Sequence, residues 1–431
     1  MRTADTALIT AQKSYTITPN IQLQLIKAGN TMTYGEDRIL DLRHFERAPN
    51  DYYAICTLNN SDKHFETNPY LNLYGANAEI SWGVGTALSA AAPLKVIEQH
   101  FNSSPGRLTV DVVMSGLLNI MDREEATEDY QEPTASTVTV KDQIIALAMG
   151  GTAGYKFDAY NSYLAFTVAW DSEDEVIDSF IPGDSFTIYQ GESRYRKIKE
   201  LLDLTSCVMR LGGDGQLHVF VPRISGDTWQ ASYAYVLHDY VQSALPDYNF
   251  TYECTQAGFS GVAEPTWPTT DGQTVNDGTA IWTCRAFDYE YNNTASTANH
   301  AFYAKSRVQR VVMPNYIVVQ SPDGVYAGTA AHSDSALIRL DHYEIVDVAS
   351  TAMASSIATA MLLQGKRQTD QGNIIAPINC GQELYDYVKV TDSREADFKI
   401  GHVAYVERHY SNNPVDWSME IQLGEVGLRR V

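Results

Sequence analysis

Apolar and polar positions alternate with a period of two through much of the chain. In YTITPNIQLQLI (15–26), Ile21, Leu23 and Leu25 fall on one side and Gln22 and Gln24 on the other, the pattern of a half-buried strand. YYAICTL (52–58), AEISWGV (78–84) and LTVDVVM (108–114) are further strand-type runs bounded by polar or glycine-rich sequence. Short strands separated by turn residues predict a small barrel or sandwich at the N-terminus. The acidic stretch DREEATEDYQEPT (122–134) carries a proline and reads as a solvated connector, with a domain boundary near residue 130.

Helical spacing then enters. TVTVKDQIIALAMGG (137–151) has a Thr cap, apolar Ile144, Ile145, Leu147, Ala148 and Met149, and a stop at Gly150-Gly151, which predicts a short amphipathic helix. LAFTVAW (164–170) reads as a strand. SRYRKIKELLDLTS (193–206) is a second helix, with Ile198, Leu201, Leu202 and Thr205 on its apolar face and Arg194, Arg196, Lys197 and Lys199 elsewhere around it. GGDG (212–215) then turns the chain into the strand QLHVFVP (216–222). A third helix, ASTAMASSIATAMLLQG (349–365), has Met353, Ile357, Met361 and Leu362 on one stripe. Its many small residues predict close packing, and its Met stripe reads as core. Strands flank it: VQRVVM (308–313) and YIVVQS (316–321) before, LYDYVKVTD (384–392), IGHVAYVERHY (400–410) and WSMEIQLGE (417–425) after.

Residues 247–287 break this texture and read as an insertion dense in Gly, Pro, Thr and Asp, with Asp-Gly at 271–272 and 277–278. Tyr252 and Cys254 open it, and Trp282 and Cys284 close it at matching spacing. If the two ends pair as antiparallel strands, Cys254 and Cys284 face each other as a candidate disulfide. The alternative is two free thiols in a small apolar patch, the expected state in a reducing compartment. Tyr252, Trp267 and Trp282 are the candidate contact to a glycan or partner; the alternative is that they form the core of the insertion itself. The expected fold class is mainly β with α+β parts. Two small β-barrel-like domains (1–130 and 371–431) would flank a split α+β domain (131–246 and 288–370) that holds the inserted β module (247–287).

Composition narrows the function classes. The chain of 431 residues is 44% apolar, and Lys plus Arg number 31 against 53 Asp plus Glu, a net charge of −22. Such acidity argues against a sequence-specific nucleic-acid surface or a polybasic membrane contact. No window approaches 18 consecutive apolar residues, so no integral membrane segment is expected. The first twenty residues lack the apolar stretch of a secretory signal, which predicts synthesis in the cytoplasm. Tyrosine stands out, with 27 Tyr against 13 Phe and 6 Trp. Its amphipathic ring suits pleated surfaces and wet interfaces.

The chemistry of a catalyst is not visible. Phosphate-loop, dinucleotide-fingerprint, zinc-protease and nucleophile-elbow motifs are missing. DSEDE (171–175) lacks the alternating ligands and central Gly of a calcium loop. The five cysteines (56, 207, 254, 284 and 380) form no CxxC, and the ten histidines share no metal spacing. His402 and His409 fall on opposite faces of one predicted strand. No catalytic residue, cofactor or metal is therefore expected, and the chain reads as a non-enzyme.

The order of these features resembles a known family. The helix with its Gly-Gly stop (137–151), GESRYRKIKELLDLTSCVMRLGGDGQLHVFVPR (191–223), GNIIAPINCGQELYDYVKVTD (372–392) and VAYVERHYSNNPVDWSMEIQLGEV (403–426) are similar to hub proteins at the distal end of bacteriophage tails. YAICTLNNSDKHFE (53–66) and AEISWGVG (78–85) resemble the first barrel of those proteins, and GVAEPTWPTTDGQTVNDGTAIWTC (261–284) a module recurrent in phage structural proteins. The resemblance implies a homotrimeric ring in the virion tail that adapts a six-fold tube to a three-fold tip around the DNA channel. Its implied partners are a tail tube or distal tail protein, a tip or spike/fibre protein, and a tape-measure protein. The acid excess then predicts a lumen lined with carboxylates, which repel DNA where cations would hold it. Related readings are a host-surface glycan binder acting through 247–287, or the hub of a contractile injection system or gene transfer particle.

Overall fold

The alternating N-terminal segments form eight strands: β1 (Pro19–Lys27), β2 (Asn30–Tyr34), β3 (Ile39–Arg47), β4 (Asp51–Asn59), β5 (Asn77–Val84), β6 (Ala87–Ala90), β7 (Leu94–Ser104) and β8 (Arg107–Gly116). In β4 every second side chain is buried, Tyr52, Ala54, Cys56 and Leu58, because successive residues of a strand point to opposite faces. The strands run β2-β1-β5-β7-β8-β4-β3, with β6 beside β5. This computed structural model describes residues 5–14, 16–67, 71–150, 159–160, 164–223, 226–243, 250–296, 298–367, 369–395 and 397–424. Tyr15, Gly151, the expected start of the insertion at residue 247, and Glu425 mark ends of segments read from the sequence and lie outside the described residues.

Helix α1 (Val140–Met149) starts at Thr139, which forms a reciprocal capping box with Asp142, and ends at Gly150 in the left-handed region (φ 63°). Helix α2 (Arg194–Asp203) is capped by the Ser193 hydroxyl. The sequence pattern sets Arg194 and Lys197 off its apolar face, yet both are buried. Arg194 has a specific reason. Its guanidinium donates to the carbonyls of Leu147 (2.6 Å), Ala148 (2.5 Å) and Leu164 (2.8 Å) and pairs with Glu124 (2.7 Å). It thereby satisfies the orphan carbonyls at the end of α1. Strands β9 (Val208–Leu211) and β10 (Leu217–Phe220) follow, and Val168–Trp170 adds a parallel strand to β10.

Asp227–Thr228 and β11 (Tyr240–Gln242), which precede residue 247, join strands β12 (Thr251–Gln256), β13 (Thr274–Asp277) and β14 (Ala280–Arg285) of the insertion in one five-stranded sheet. Its buried residues form a hydrophobic cluster separate from the main core. After it come β15 (Tyr289–Asn292), β16 (Ala304–Gln309), β17 (Tyr316–Gln320), β18 (Ala327–Ala331) and β19 (Asp341–Ile345). Helix α3 (Thr351–Arg367) lies on the sheet β18-β17-β19. The approach is close: a Cβ on Gly328 of β18 would stand 2.2 Å from the Ser355 nitrogen. Ala354 and Ala358 are fully buried at this contact-rich helix, which accounts for its small residues.

The last strands are β20 (Asp370–Pro377), β21 (Tyr387–Asp392), β22 (Asp397–Asn412) and β23 (Val415–Leu423). They continue the N-terminal sheet, which runs on from β3 as β22-β23-β20-β16, with β21 beside β22 and β15 beside β21. The fold is mainly β with α+β parts. Among the described residues no helix is long and apolar enough to cross a membrane.

Candidate assembly surfaces and the junction behind them

The two strand sets meet along β3 and β22, antiparallel from Arg47 opposite Tyr405 to Asp41 opposite Ser411. At the middle of this ladder His44 faces Arg408. Both are fully buried. Arg408 pairs with Glu46 (3.2 Å) and donates to the Gln382 carbonyl. From there a polar network runs through the 379–386 loop. Asp386 accepts from the Gln382 side chain (2.7 Å), the Glu383 amide (2.7 Å) and Arg210 of β9 (3.3 Å). Burial raises the Asp386 carboxyl above the usual carboxylate range, and Arg210 opposes that rise.

The same loop holds the N-terminal segment. The Gln12 side chain donates through Nε2 to the Tyr289 hydroxyl (3.0 Å) and to Asn379 Oδ1 (2.9 Å), and its Oε1 accepts from the Cys380 amide (2.9 Å). Tyr289 in turn lies 2.7 Å from His300 Nδ1, while His300 Nε2 lies 3.1 Å from the Pro377 carbonyl. Burial pushes the His300 ring down to about 4 and the His402 ring down to about 3. Both rings are buried, and they act as fixed neutral pieces of the junction. His402 and His409 do sit in one strand as predicted. His409 is bracketed by Asp416 (2.8 Å) and Asp41 (3.0 Å) from the neighbouring strands. These are cross-strand pairs of a sheet. No group of three or more His, Cys, Asp or Glu among the described residues is placed to hold a metal ion.

A repeat within the chain signals this junction and the strand-by-strand reading missed it. Arg43-His44-Phe45, Pro49, Asp51 and Tyr52 recur as Arg408-His409-Tyr410, Pro414, Asp416 and Trp417, a constant offset of 408 − 43 = 365. Both segments are hairpins, β3–β4 and β22–β23, each with a cis proline in its turn. The second turn is one residue shorter, since Asn412 pairs with Val415 where Arg47 pairs with Asp51. That slip brings Arg408, rather than His409, to the buried position matching His44.

The insertion answers the other site expectations. Tyr252, Trp267 and Trp282 are brought together, but as a core. The Tyr252 and Trp267 rings stack at 4.0 Å, and Trp282 packs edge-on to Trp267 at 5.9 Å and to Tyr235 at 4.7 Å. All three are at most 3% exposed, so no ring face is open to a sugar, and the proposed glycan contact is corrected to a packing role. Asp277 anchors the cluster by accepting from Trp229 (2.8 Å), Trp282 (3.0 Å) and the Gly261 amide (2.7 Å). The disulfide is corrected too. The two strands do pair antiparallel, but in a register that sets Cys254 opposite Trp282 and Cys284 opposite Tyr252. Both thiols are free and buried. Burial pushes Cys254 up to about 12 and Cys284 up to about 11, which keeps both protonated at neutral pH.

No family model matches the chain, and no curated protein matches it. Solved structures do. A tail protein from Neisseria meningitidis MC58 is similar over 95% of this chain and 97% of that one, at 10% identity and a TM-score of 0.56. The 43 kDa tail protein of prophage MuSo2 from Shewanella oneidensis aligns over 94% of this chain and 98% of its own, at 9% identity and a TM-score of 0.49. Prophage tail protein gp18 from Listeria monocytogenes EGD-e aligns over 96% and 95%, at 10% identity and a TM-score of 0.46. The first likeness spans nearly the whole of both chains and establishes a shared fold.

Proposed function

We propose that this chain is a hub subunit of a tail-like particle: three copies form a ring that joins a six-fold tube to a three-fold tip and surrounds a DNA channel. The observation that carries the reading is the β3–β22 ladder. It fuses N- and C-terminal strand sets side by side, so one chain offers two adjacent β units and three chains around an axis offer six. A ring of this kind closes through heterologous contacts between different patches of identical chains. The fold shared with a protein named as a tail protein supports the same reading.

In this role the chain meets a tail tube or distal tail protein on one side and a tip or spike/fibre protein on the other, with the tape-measure protein in between. It is made in the host cytoplasm and resides in the virion tail. It performs no bond-breaking step. The net charge of −22 is assigned to the inner wall, where carboxylates let the duplex pass without adhesion. A cryo-EM reconstruction of the assembled ring tests the reading. A three-fold axis and a negative inner wall are expected; a subunit off the axis overturns the ring, and a neutral or basic wall overturns the lumen assignment. The hub of a contractile injection system or gene transfer particle shares this architecture, and a neighbouring tape-measure gene supports a tail.

A further inference from the structure

The module that the insertion builds with Asp227–Thr228 and β11 stands apart from the main body. Among the described residues, its five-stranded sheet and the pair Ala234–Tyr235 with Gly258–Phe259 take every strand from within 227–285. Its hydrophobic cluster is separate from the main core. Between the two lies a polar cleft of about 320 Å³. Arg210, Phe220 and Asp386 line it from the main body, and His238, Tyr240 and Arg285 from the module. Each wall satisfies its own charged groups. Glu253 holds His238 (2.7 Å) and Arg285 (2.6 Å) on the module side, while Glu383 (3.1 Å) and Asp386 (3.3 Å) hold Arg210 on the body side. Units that meet through a small polar contact move relative to each other, since only a large apolar contact fixes them.

The pivot is narrow. The main body grips the departing chain as far back as Phe287, whose ring stacks on Tyr387 at 5.6 Å. Asp288 adds two hydrogen bonds to the same residue: its amide donates to the Tyr387 carbonyl (2.8 Å), and its carboxylate accepts from the Tyr387 amide (2.7 Å). The module grips the residue before Phe287. The Ala286 amide donates to Asp271 (2.8 Å), directly after β14 ends at Arg285. The two grips therefore change over at one peptide link, Ala286–Phe287. On the entering side the body holds the Val221 amide through the Ser172 hydroxyl (2.8 Å), and Asp227 already pairs with Val241 in the module's sheet. Arg223 lies between these points and reaches across to the exit. Its Nη1 donates to the Ala286 carbonyl and stands 3.6 Å from Asp288. We propose that the module's sheet and core swing as one rigid arm about the Ala286–Phe287 link, with Arg223 as the strap that restrains it. Hinge motion is absorbed by a few residues at the ends of elements, the place Ala286 occupies. The swing opens and closes the cleft, and it belongs to the single chain whether or not copies form a ring.

Paired spin labels on the full chain test this. All five native cysteines are buried, so only introduced thiols take a label. Phe259→Cys in the module (61% exposed) with Tyr189→Cys in the main body (59%) reports the arm, and Tyr189→Cys with Val415→Cys (75%) reports the main body alone. The first pair is expected to give a distance distribution about twice as broad as the second, or broader, as a hinged unit does. Arg223→Gln removes the strap and is expected to broaden the first distribution further while leaving the second unchanged. Equal widths for the two pairs in the chain that keeps Arg223 overturn the arm. A first distribution that is broad, but no broader with Arg223→Gln, overturns the strap and leaves the swing standing.

Discussion

His44 of β3 and Arg408 of β22 stand directly opposite each other in an antiparallel ladder, both with no exposed surface. One belongs to the first strand set and the other to the last, 364 residues later by 408 − 44. They stand at the middle of the seven-pair ladder that makes two strand sets one sheet. A charge in this position is held by its partners, and Arg408 has Glu46 at 3.2 Å together with the Gln382 carbonyl.

Removing one partner of this pair exposes the cost. Arg408→Met leaves Glu46 buried beside an apolar chain, and a buried pair broken on one side costs about 3–5 kcal/mol. Glu46→Leu combined with Arg408→Met removes both charges and is expected to cost much less than the sum of the single changes. Urea unfolding of the three variants measures this. Additive losses would mean that the two side chains do not act as a pair.

Stability falls in mild acid, and the sign follows from the junction histidines. His300 and His402 are depressed by burial to about 4 and about 3. In the unfolded chain each titrates near its ordinary value of about 6.5. Between pH 6.5 and about 4 the unfolded state therefore binds more protons, and stability decreases as pH falls through that window. Each ring contributes a slope of up to about 1.4 kcal/mol per pH unit. His402→Phe keeps the ring packing on Tyr385 and is expected to remove about one proton's share of the slope. Denaturant midpoints at pH 7.5, 6, 5 and 4.5 check it; an unchanged slope in the variant would contradict the assignment.

Legibility followed the range of the interactions. The capping box at Thr139 and the stop at Gly150 are local, so α1 was readable almost to the residue. Strands β1, β4, β5 and β8 of the N-terminal set and the 400–410 and 417–425 runs were readable because alternation is local as well, whereas β2, β3, β6 and β7 were not named. The seam was not, since pairing β3 with β22 depends on residues at opposite ends of the chain; only the Arg-His-aromatic repeat carried a trace of it. Arg194 read only as lying off the apolar face of α2, because its partners, the carbonyls ending α1, have no sequence signature. The Cys254–Cys284 pairing failed on register alone: equal spacing at the two strand ends set each cysteine opposite an aromatic ring. Strand β19, DHYEI, escaped detection because its alternation is between two half-polar faces.

Helix α3 is predicted to tolerate no side chain at Gly328. A Cβ there meets the Ser355 nitrogen at 2.2 Å and the Ala354 carbonyl carbon at 2.4 Å, and both are backbone atoms that cannot step aside. Gly328→Val forces the helix off β18, and overpacking of this kind costs about 1–3 kcal/mol or more. The same change at Gly272, where nothing lies within 4 Å of a Cβ, suffers only from its positive φ. The fall in melting midpoint of Gly328→Val below the wild type measures the packing cost, because Gly328 is not at positive φ, whereas Gly272→Val reports backbone strain without a clash; a wild-type midpoint in Gly328→Val would show that α3 yields.

The inserted module is expected to fail by itself. Its cluster of Tyr235, Val241, Tyr252, Cys254, Trp267, Ala280, Trp282 and Cys284 is separate from the main core, so its stability is a local quantity. Trp282 is fully buried, touches Trp267 and Tyr235, and donates to Asp277. Trp282→Ala leaves a ring-sized cavity, a loss of about 3–5 kcal/mol, and frees Asp277 from one of its donors. A five-stranded sheet of this size has little stability to spare. Limited proteolysis should then cut the variant within the module and leave β1–β8 and β20–β23 protected as in the wild type. Cutting spread evenly over the whole chain would show instead that the two cores melt as one.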